Sequence, residues 1–353
     1  MDIHVEPIME SRLTDSTFDS LLFGVEFSDH MLLAQTEQGQ WQDATILPYG
    51  NLSIPPSLSA LHYGQSVFEG MKAFYVNEST VHLFRLDDHY ERLTNSCHRI
   101  SIPVPPKEMF IEGLKKLVAL DRAWVPNKEN HSLYIRPVAF ASDPIIAAKA
   151  STEYTFMIIC SPVGPYYPTG VKPLDLTTST EYVRAVVGGT GYAKAAGNYA
   201  ASFQPAQEVR KDGFAQIIWL DALEHRFVEE VGTMNIFFKL KDRLITPKLT
   251  GSILSGITRL SVIALAQEMG IEVSEERIDI HDMIAAFKDG ELEEVFGAGT
   301  AAVIAPFGRI HHQGENIQFD LEGRGPFATK IHKAITDLQY GRVVDTHGWV
   351  HPV

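Results

Sequence analysis

The sequence predicts an α+β protein of two domains, and three observations lead there. The chain has 353 residues, a length that at about 100–200 residues per domain suits two domains or one large one. Apolar residues make up 45% and charged residues 21% of it, the balance of a chain that buries a real core, so disorder is excluded. Stretches of β-forming residues with a period of two dominate the first half, while runs with helical spacing recur through both halves.

In chain order, Val81-His82-Leu83-Phe84-Arg85-Leu86 reads as a strand. Residues 107–125 carry apolar positions at Phe110, Ile111, Leu114, Leu117 and Val118, a helical spacing that ends before Pro126. Ser132-Leu133-Tyr134-Ile135-Arg136-Pro137 is a second strand, in which alternation puts Tyr134 and Arg136 on one face and Leu133 and Ile135 on the other. Ser161-Pro162-Val163-Gly164-Pro165-Tyr166-Tyr167-Pro168-Thr169-Gly170 follows, with enough proline and glycine to break any regular element. The expected division is therefore an N-terminal domain over 1–163, a linker over 164–176 and a C-terminal domain over 177–353. There, Gln216-Ile217-Ile218-Trp219-Leu220 and Asn235-Ile236-Phe237-Phe238 read as strands. A helix is expected over 258–269, stopped by Gly270, and a last one over about 326–338.

Composition removes several classes of function. With 44 Asp and Glu against 30 Lys and Arg, the net charge is −14, a field that repels nucleic acid and anionic membrane alike. The chain shows neither a signal-peptide start nor a run of about 18 apolar residues, so the expected location is the cytoplasm. Its two cysteines, Cys97 and Cys160, form no CxxC, which fits a reducing compartment and no zinc knuckle. Walker, HExxH, GxSxG and calcium-loop patterns are absent, and no metal is expected. His311 and His312, after Gly308-Arg309, read as an exposed turn, and the sequence neighbours Cys97 and His98 do not make a nucleophile and base. Gly297-Ala298-Gly299-Thr300-Ala301-Ala302 matches G-x-G-x-x-A, but the β-rich Val303-Ile304-Ala305-Pro306-Phe307 follows where a dinucleotide site needs a helix.

A different constellation carries chemistry. Gly188-Gly189-Thr190-Gly191-Tyr192-Ala193-Lys194-Ala195-Ala196-Gly197-Asn198-Tyr199 sets one lysine among small residues that leave room for a flat ligand. A buried lysine favours the neutral amine that condenses with an aldehyde; a solvated lysine on a glycine-rich loop is the plain alternative. Val228-Glu229-Glu230-Val231-Gly232-Thr233-Met234-Asn235 places two carboxylates in an apolar stretch, where alternation lets one point inward and the other outward without saying which. A carboxylate there could keep a pyridine nitrogen protonated. Ile253-Leu254-Ser255-Gly256-Ile257-Thr258-Arg259 opens a helix whose first N–H groups can hold a phosphate, or can simply be capped by Ser255.

Together these blocks resemble the class IV aminotransferases: Lys194 with Gly197-Asn198-Tyr199, then Glu230 to Asn235, Ser255 to Arg259, and Phe296-Gly297-Ala298-Gly299-Thr300-Ala301, in that order. Ala60-Leu61-His62-Tyr63-Gly64-Gln65-Ser66-Val67-Phe68-Glu69-Gly70-Met71-Lys72-Ala73-Phe74 and Tyr134-Ile135-Arg136-Pro137 extend the likeness from about Phe27 to Gly341, and it is greatest to the branched-chain branch. The resemblance implies a pyridoxal 5'-phosphate enzyme of fold type IV, like D-amino-acid aminotransferase. Such an enzyme has a smaller N-terminal α/β domain, a larger C-terminal domain with a barrel-like sheet, and the site at the domain interface. D-amino-acid aminotransferase and aminodeoxychorismate lyase share the fold, the lysine and the glutamate; the Tyr134 to Pro137 block and the extension before Phe27 favour the branched-chain branch. The intact set of lysine, glutamate and tyrosine argues against a non-catalytic vitamer-binding protein.

The resemblance also implies roles. Lys194 would carry the cofactor and move the substrate proton, Glu230 would meet the pyridine nitrogen, and Tyr199 would donate to the phenolic oxygen. Arg85, the N–H groups of Ile257 and Thr258, the Thr258 hydroxyl and Thr300 would hold the phosphate, assisted by Arg184. The backbone of Thr300 and Ala301 would take the substrate carboxylate. Tyr63, Phe68, Tyr134, Tyr166 and Thr233 would wall the side-chain pocket, and Arg136 would meet the side-chain carboxylate of glutamate. The implied substrates are L-leucine, L-isoleucine or L-valine with 2-oxoglutarate, giving L-glutamate. The implied assembly is a homodimer in which Tyr63 and the loop near Ile146 cross to the second subunit. Where mammalian members carry a CxxC after Gly-Thr-Ala, this chain has Ala302 and Ala305, so thiol redox control of that kind is not expected.

Overall fold

The computed structural model describes residues 2–167 and 170–353, so Met1 and, within the expected linker, Pro168 and Thr169 lie outside the described residues. The chain divides into two compact units, one of Met1–Pro165, Ala193–Gly197 and Asp337–Val353, the other of Tyr166–Tyr192 and Asn198–Thr336.

The first unit is built on a ten-stranded sheet. Its strands are β1 (Ile3–Val5), β2 (His30–Glu37), β3 (Gln40–Trp41), β4 (Ala44–Pro48), β5 (Ser66–Phe68), β6 (Met71–Asn77), β7 (Thr80–Phe84), β8 (Ser132–Ala141) and β9 (Tyr154–Val163), with the C-terminal Val350–Pro352 on the edge of β7. Antiparallel β8 and β9 form its spine, in register from Ser132↔Val163 to Ala141↔Tyr154. Helices α1 (Ser59–Tyr63), α2 (Leu86–Arg99) and α3 (Lys107–Leu120) accompany it. The predicted apolar face of α3 is inside: Phe110, Leu114, Leu117 and Val118 are fully buried in one core with Leu32, Ile46, Phe156 and Ile158 of the sheet. The helix stops at Leu120, and a 3-10 turn over Arg122–Trp124 completes the approach to Pro126.

Ser161, Pro162 and Val163 are not irregular; they close β9. The β2–β9 ladder ends at Met31↔Ile159, so this end of β9 has a strand partner on the β8 side only, and a proline without an N–H is tolerated at such an edge. The N-terminal unit also takes in Ala193–Gly197 and the C-terminal tail, so it is not one continuous stretch of chain. Strand pairing is the cause: Ala195 bridges to Val67, and His351 lies opposite Leu83.

The second unit carries another ten-stranded sheet, with β10 (Leu174–Thr178), β11 (Gln216–Leu220), β12 (Phe227–Val231), β13 (Asn235–Leu240), β14 (Arg243–Pro247), β15 (Glu272–Glu276), β16 (Ile278–Asp279), β17 (Leu292–Gly299), β18 (Val303–His312) and β19 (Glu315–Gln318). Since β10 begins at Leu174, the end of the expected linker is regular. Pairing runs β15-β14-β13-β17-β18-β10-β11-β12-β16, with β19 beside β18. The two ends of that path, β15 and β16, are separated in sequence by Arg277 alone, so the sheet curls round until its outer strands meet. That is the barrel-like form expected. Its helices are α4 (Gly197–Ala200), which opens on the last residue of the first unit, α5 (Phe203–Lys211), α6 (Ile257–Glu268), α7 (Ile280–Lys288) and α8 (Pro326–Gln339), whose last turn belongs to the first unit.

His311 and His312 are not an exposed turn. Both lie in β18, where His312 is 1% exposed. They bond to β10, through Thr177 Oγ1 at 3.1 Å and Thr178 Oγ1 at 2.8 Å. The turn comes one step later, at Gln313 and Gly314, both at positive φ. The G-x-G-x-x-A match is likewise a hairpin, with Gly297 and Gly299 in β17 opposite Ala305 and Val303 of β18.

Candidate active site

Lys194 stands in the first unit on a strip added beside β5. Phe68 N donates to Lys194 O at 3.1 Å and Ala196 N to Ser66 O at 2.9 Å. The flanking Ala193 and Ala195 are 1% and 5% exposed, which explains the small residues around the lysine. Lys194 itself is half-buried rather than buried. On its other flank, Lys194 N donates to Ser96 Oγ of α2 at 2.8 Å.

The lysine Nζ lies 4.9 Å from the centre of the Phe68 ring, and the Arg136 guanidinium lies 4.4 Å from the same ring. Arg136 Nη2 donates to Tyr134 Oη at 2.9 Å, as their shared strand face predicts. A Cβ on Gly70 would collide with that Tyr134 hydroxyl, so glycine is needed there for the pair to form. Four predicted residues thus come together: Lys194, Phe68, Tyr134 and Arg136. Arg85 sits at the start of α2 in the left-handed region, its Nε donating to Asp88 at 2.7 Å and its guanidinium 4.4 Å from the Trp349 ring. Tyr63 closes α1 and is exposed.

In the second unit, Arg184, Tyr199, Glu230 and Thr233 line one small crevice with Gly232 and Leu254. Glu230, on β12, is 4% exposed. It pairs with the Arg184 guanidinium, and Asn235 Nδ2 donates to its Oε1 at 3.2 Å. Both partners are donors, as an acceptor-only carboxylate requires. Arg184 also donates to the carbonyls of Gly191 and Ser252, at 2.9 and 2.5 Å, so its charge is directed at Glu230 and the glycine-rich loop. That loop is closed by Asn198 Nδ2 donating to Thr190 O at 2.8 Å.

Glu229 does not point to solvent, as alternation allowed, but is 7% exposed. It accepts from the Ser252 hydroxyl, and burial, only partly offset by that bond, raises its carboxyl above the ordinary value. It faces a separate, mostly apolar cavity with Val186, Leu223, Phe227 and Ile253. A bulge in the β11–β12 ladder next to Trp219↔Glu230 helps put both carboxylates inside.

Ser255 is not the cap of α6; Gly256 is, in an extended conformation. A Cβ on Gly256 would collide with Asn235 Oδ1, so the helix start closes directly on the residue that holds Glu230. The N–H groups of Ile257 and Thr258 open the first turn, where no intrahelical carbonyl precedes them. Thr300 and Ala301 are half-buried in the turn joining β17 to β18. Tyr166 is exposed, with its ring edge-on to Tyr167 at 4.9 Å. Asn235 was present in the sequence motif without a role, and Ser96 gave no signal at all; only folding brings it to Lys194.

Taken unit by unit, the groups suit pyridoxal phosphate: in the second unit Glu230 and Tyr199 line one crevice, an acceptor and a donor of the kind that a protonated pyridine nitrogen and a phenolic oxygen take, and α6 offers N–H groups of the kind that suit a phosphate; the first unit holds an amine, Lys194. Among the described residues, no cluster of side chains could hold a metal ion, and no helix is long and apolar enough to cross a membrane.

Residues 66–310 match the family model described as amino-transferase class IV. A Bacillus subtilis protein named branched-chain-amino-acid aminotransferase 2 is 48% identical over 95% of this chain and 93% of its own length. Among solved structures, the branched-chain aminotransferase of Thermoproteus uzoniensis with norvaline superposes with a TM-score of 0.74 at 29% identity, covering 92% of this chain and 99% of that one. The branched-chain amino acid aminotransferase from Escherichia coli gives a TM-score of 0.70 at 28% identity, covering 92% and 98%.

Proposed function

The chain belongs to the class IV aminotransferases, and we propose that it is the branched-chain member: it moves the amino group of L-leucine, L-isoleucine or L-valine to 2-oxoglutarate, giving the branched-chain 2-oxo acid and L-glutamate. The observation that carries this is the likeness, along 95% of the chain, to a branched-chain-amino-acid aminotransferase. The Phe68–Arg136–Tyr134 group supports it, because it sets an apolar ring beside a guanidinium. Such a wall accepts an aliphatic side chain, and the cation accepts the second carboxylate of glutamate. An apolar pocket separates substrates by only about 1–3 kcal/mol per methylene, so all three branched amino acids are accepted.

Pyridoxal 5'-phosphate, when bound, supplies an aldehyde to receive the amino group and a pyridinium ring to draw electrons from the substrate Cα. Lys194 Nζ would be the amine that holds that aldehyde until substrate arrives, and would then carry the proton from the substrate's Cα to C4′ of the cofactor. The Glu230 carboxylate, gripped by Arg184 and Asn235, accepts the ring N–H. Tyr199 donates to the ring oxygen. Arg85, the first N–H groups of α6, the Thr258 hydroxyl and Thr300 hold the phosphate. Arg184 serves Glu230. The backbone of Thr300 and Ala301 takes the substrate's α-carboxylate, while Tyr63, Phe68, Tyr134, Tyr166 and Thr233 exclude water from its side chain. The active form is a cytoplasmic homodimer, a reading supported by the exposed apolar Leu61, Tyr63, Ile145 and Ile146, and by two buried, unpaired cysteines.

A panel of amino donors with 2-oxoglutarate tests the reading. Leucine, isoleucine and valine are expected to turn over, and leucine alone to bleach the visible band of the cofactor-loaded protein. Bleaching by D-alanine but not by leucine would overturn the substrate assignment in favour of a D-amino-acid enzyme.

A further inference from the structure

Ser96 sits in the middle of α2, a position where alanine would favour the helix more. Its side chain is fully buried, and its hydroxyl makes two bonds, donating to Arg92 O one turn earlier at 2.8 Å and accepting from Lys194 N at 2.8 Å. The first of these gives the helix nothing it lacks. The second supplies an acceptor for the backbone of the lysine.

The turn that carries Ser96 is held by an ionic group with no solvent contact at its centre. Glu69 is 0% exposed. It accepts from Arg92 Nε at 2.7 Å and Nη2 at 2.8 Å, and its Oε2 lies 2.7 Å from His89 Nδ1. Burial would raise the Glu69 carboxyl, but the Arg92 guanidinium and the His89 bond outweigh it and hold it well below the ordinary range. Glu69 directly follows Phe68, whose ring stands beside Lys194 Nζ, and its own N–H donates to Pro137 O at 2.8 Å. One carboxylate therefore ties together the two elements that flank the lysine: β5 with Phe68, and α2 with Ser96. A buried ionic group is weak support for stability, since desolvation offsets most of its attraction. What such a group does enforce is register, here at the segment that bears the amine.

We propose that Ser96, backed by the buried Glu69–Arg92–His89 group, is a positioning residue that sets where the Lys194 amine stands. The proposal rests on Lys194 carrying the cofactor. Ser96→Ala leaves the Lys194 N–H without its acceptor, and the strip must shift to satisfy it.

The test compares wild type, Ser96→Ala and Ser96→Thr, each loaded with pyridoxal 5'-phosphate. It reads kcat and KM for leucine and the circular dichroism of the visible band, which reports how the chromophore is held. Ser96→Ala is expected to lower kcat about tenfold while KM stays within about twofold, and to diminish the visible dichroism. Ser96→Thr, which keeps the hydroxyl, is expected to restore both. Loss of thermal stability alone would move neither the dichroism of the folded fraction nor kcat per bound cofactor. Wild-type kcat and dichroism in Ser96→Ala, or equal impairment in Ser96→Thr, overturns the proposal and leaves the transaminase reading standing. Absence of a visible band in loaded wild type overturns the cofactor role of Lys194 itself, and the proposal with it.

Discussion

Two adjacent carboxylates show how far environment separates chemically identical side chains. Glu230 faces two donors, Arg184 and Asn235, whereas Glu229 has one hydroxyl and leaves Oε2 buried without a partner among the described residues. Their substitutions are expected to diverge. Glu230→Gln replaces an anion opposite Arg184 with a neutral amide, and kcat with leucine and 2-oxoglutarate is expected to fall by about a hundredfold or more, on the scale of one lost electrostatic contact in a site. Glu229→Gln is expected to keep activity and to match or exceed wild-type stability at neutral pH. The sign follows from the raised carboxyl: the folded state favours the protonated form, so holding the group ionised at pH 7 costs stability, and an uncharged isostere removes that cost. Steady-state rates and thermal midpoints check both.

Elements position these residues through close approaches of backbone to side chain. The clearest is the start of α6, where Gly256 stands so near Asn235 that any Cβ collides with its amide. Gly256→Ala is therefore expected to displace Asn235 from Glu230 and to tilt the first turn of the helix, at a cost of about 1–3 kcal/mol. Titration of the apoprotein with pyridoxal 5'-phosphate, followed by its visible band, is expected to show weakened binding with far-UV dichroism unchanged. Unaltered affinity would mean that the helix start does not contribute to the cofactor site. At this scale the elements that could be read from residue types were those with a full period on one face. The β8 alternation puts Tyr134 and Arg136 on one face, where they hydrogen-bond, and the α3 spacing from Phe110 to Val118 follows the face that the helix buries. The failures have equally specific causes. Proline hides the end of β9, where an edge tolerates it, and the polar His311 and His312 suggest a turn although both lie in β18, each bonded through Nδ1 to Thr177 or Thr178 of β10. Alternation also misjudged Glu229, because a bulge beside Trp219↔Glu230 breaks the period of two.

For the molecule as a whole, the buried Glu69 group makes stability depend on acidity in a definite direction. Its carboxyl titrates below the ordinary 4.5 in the folded state, so its contribution is complete at neutral pH and is lost as pH falls from about 4.5 through the folded value. Urea unfolding midpoints measured from pH 7 to pH 3 are expected to fall in that window, and the fall is expected to be shallower in Glu69→Gln, which starts less stable. An identical slope in the variant would assign the acid sensitivity to other carboxylates. Net charge gave no sign of such groups: a chain at −14 still gathers Arg136 and Lys194 around one ring and aims Arg184 at one carboxylate. What the sequence determined by itself was the chemistry available and most of the local structure. The lysine among small residues, the glutamates in an apolar strand and the glycine before a helix are local facts, written in residue type and spacing. What the tertiary structure alone decided was partnership: Ser96 with Lys194, Glu69 with Arg92 and His89, Asn235 with Glu230, and the return of the C-terminal strand to β7. Those contacts join residues from 5 to 270 positions apart, and only burial and strand pairing, which act through space, bring such residues together.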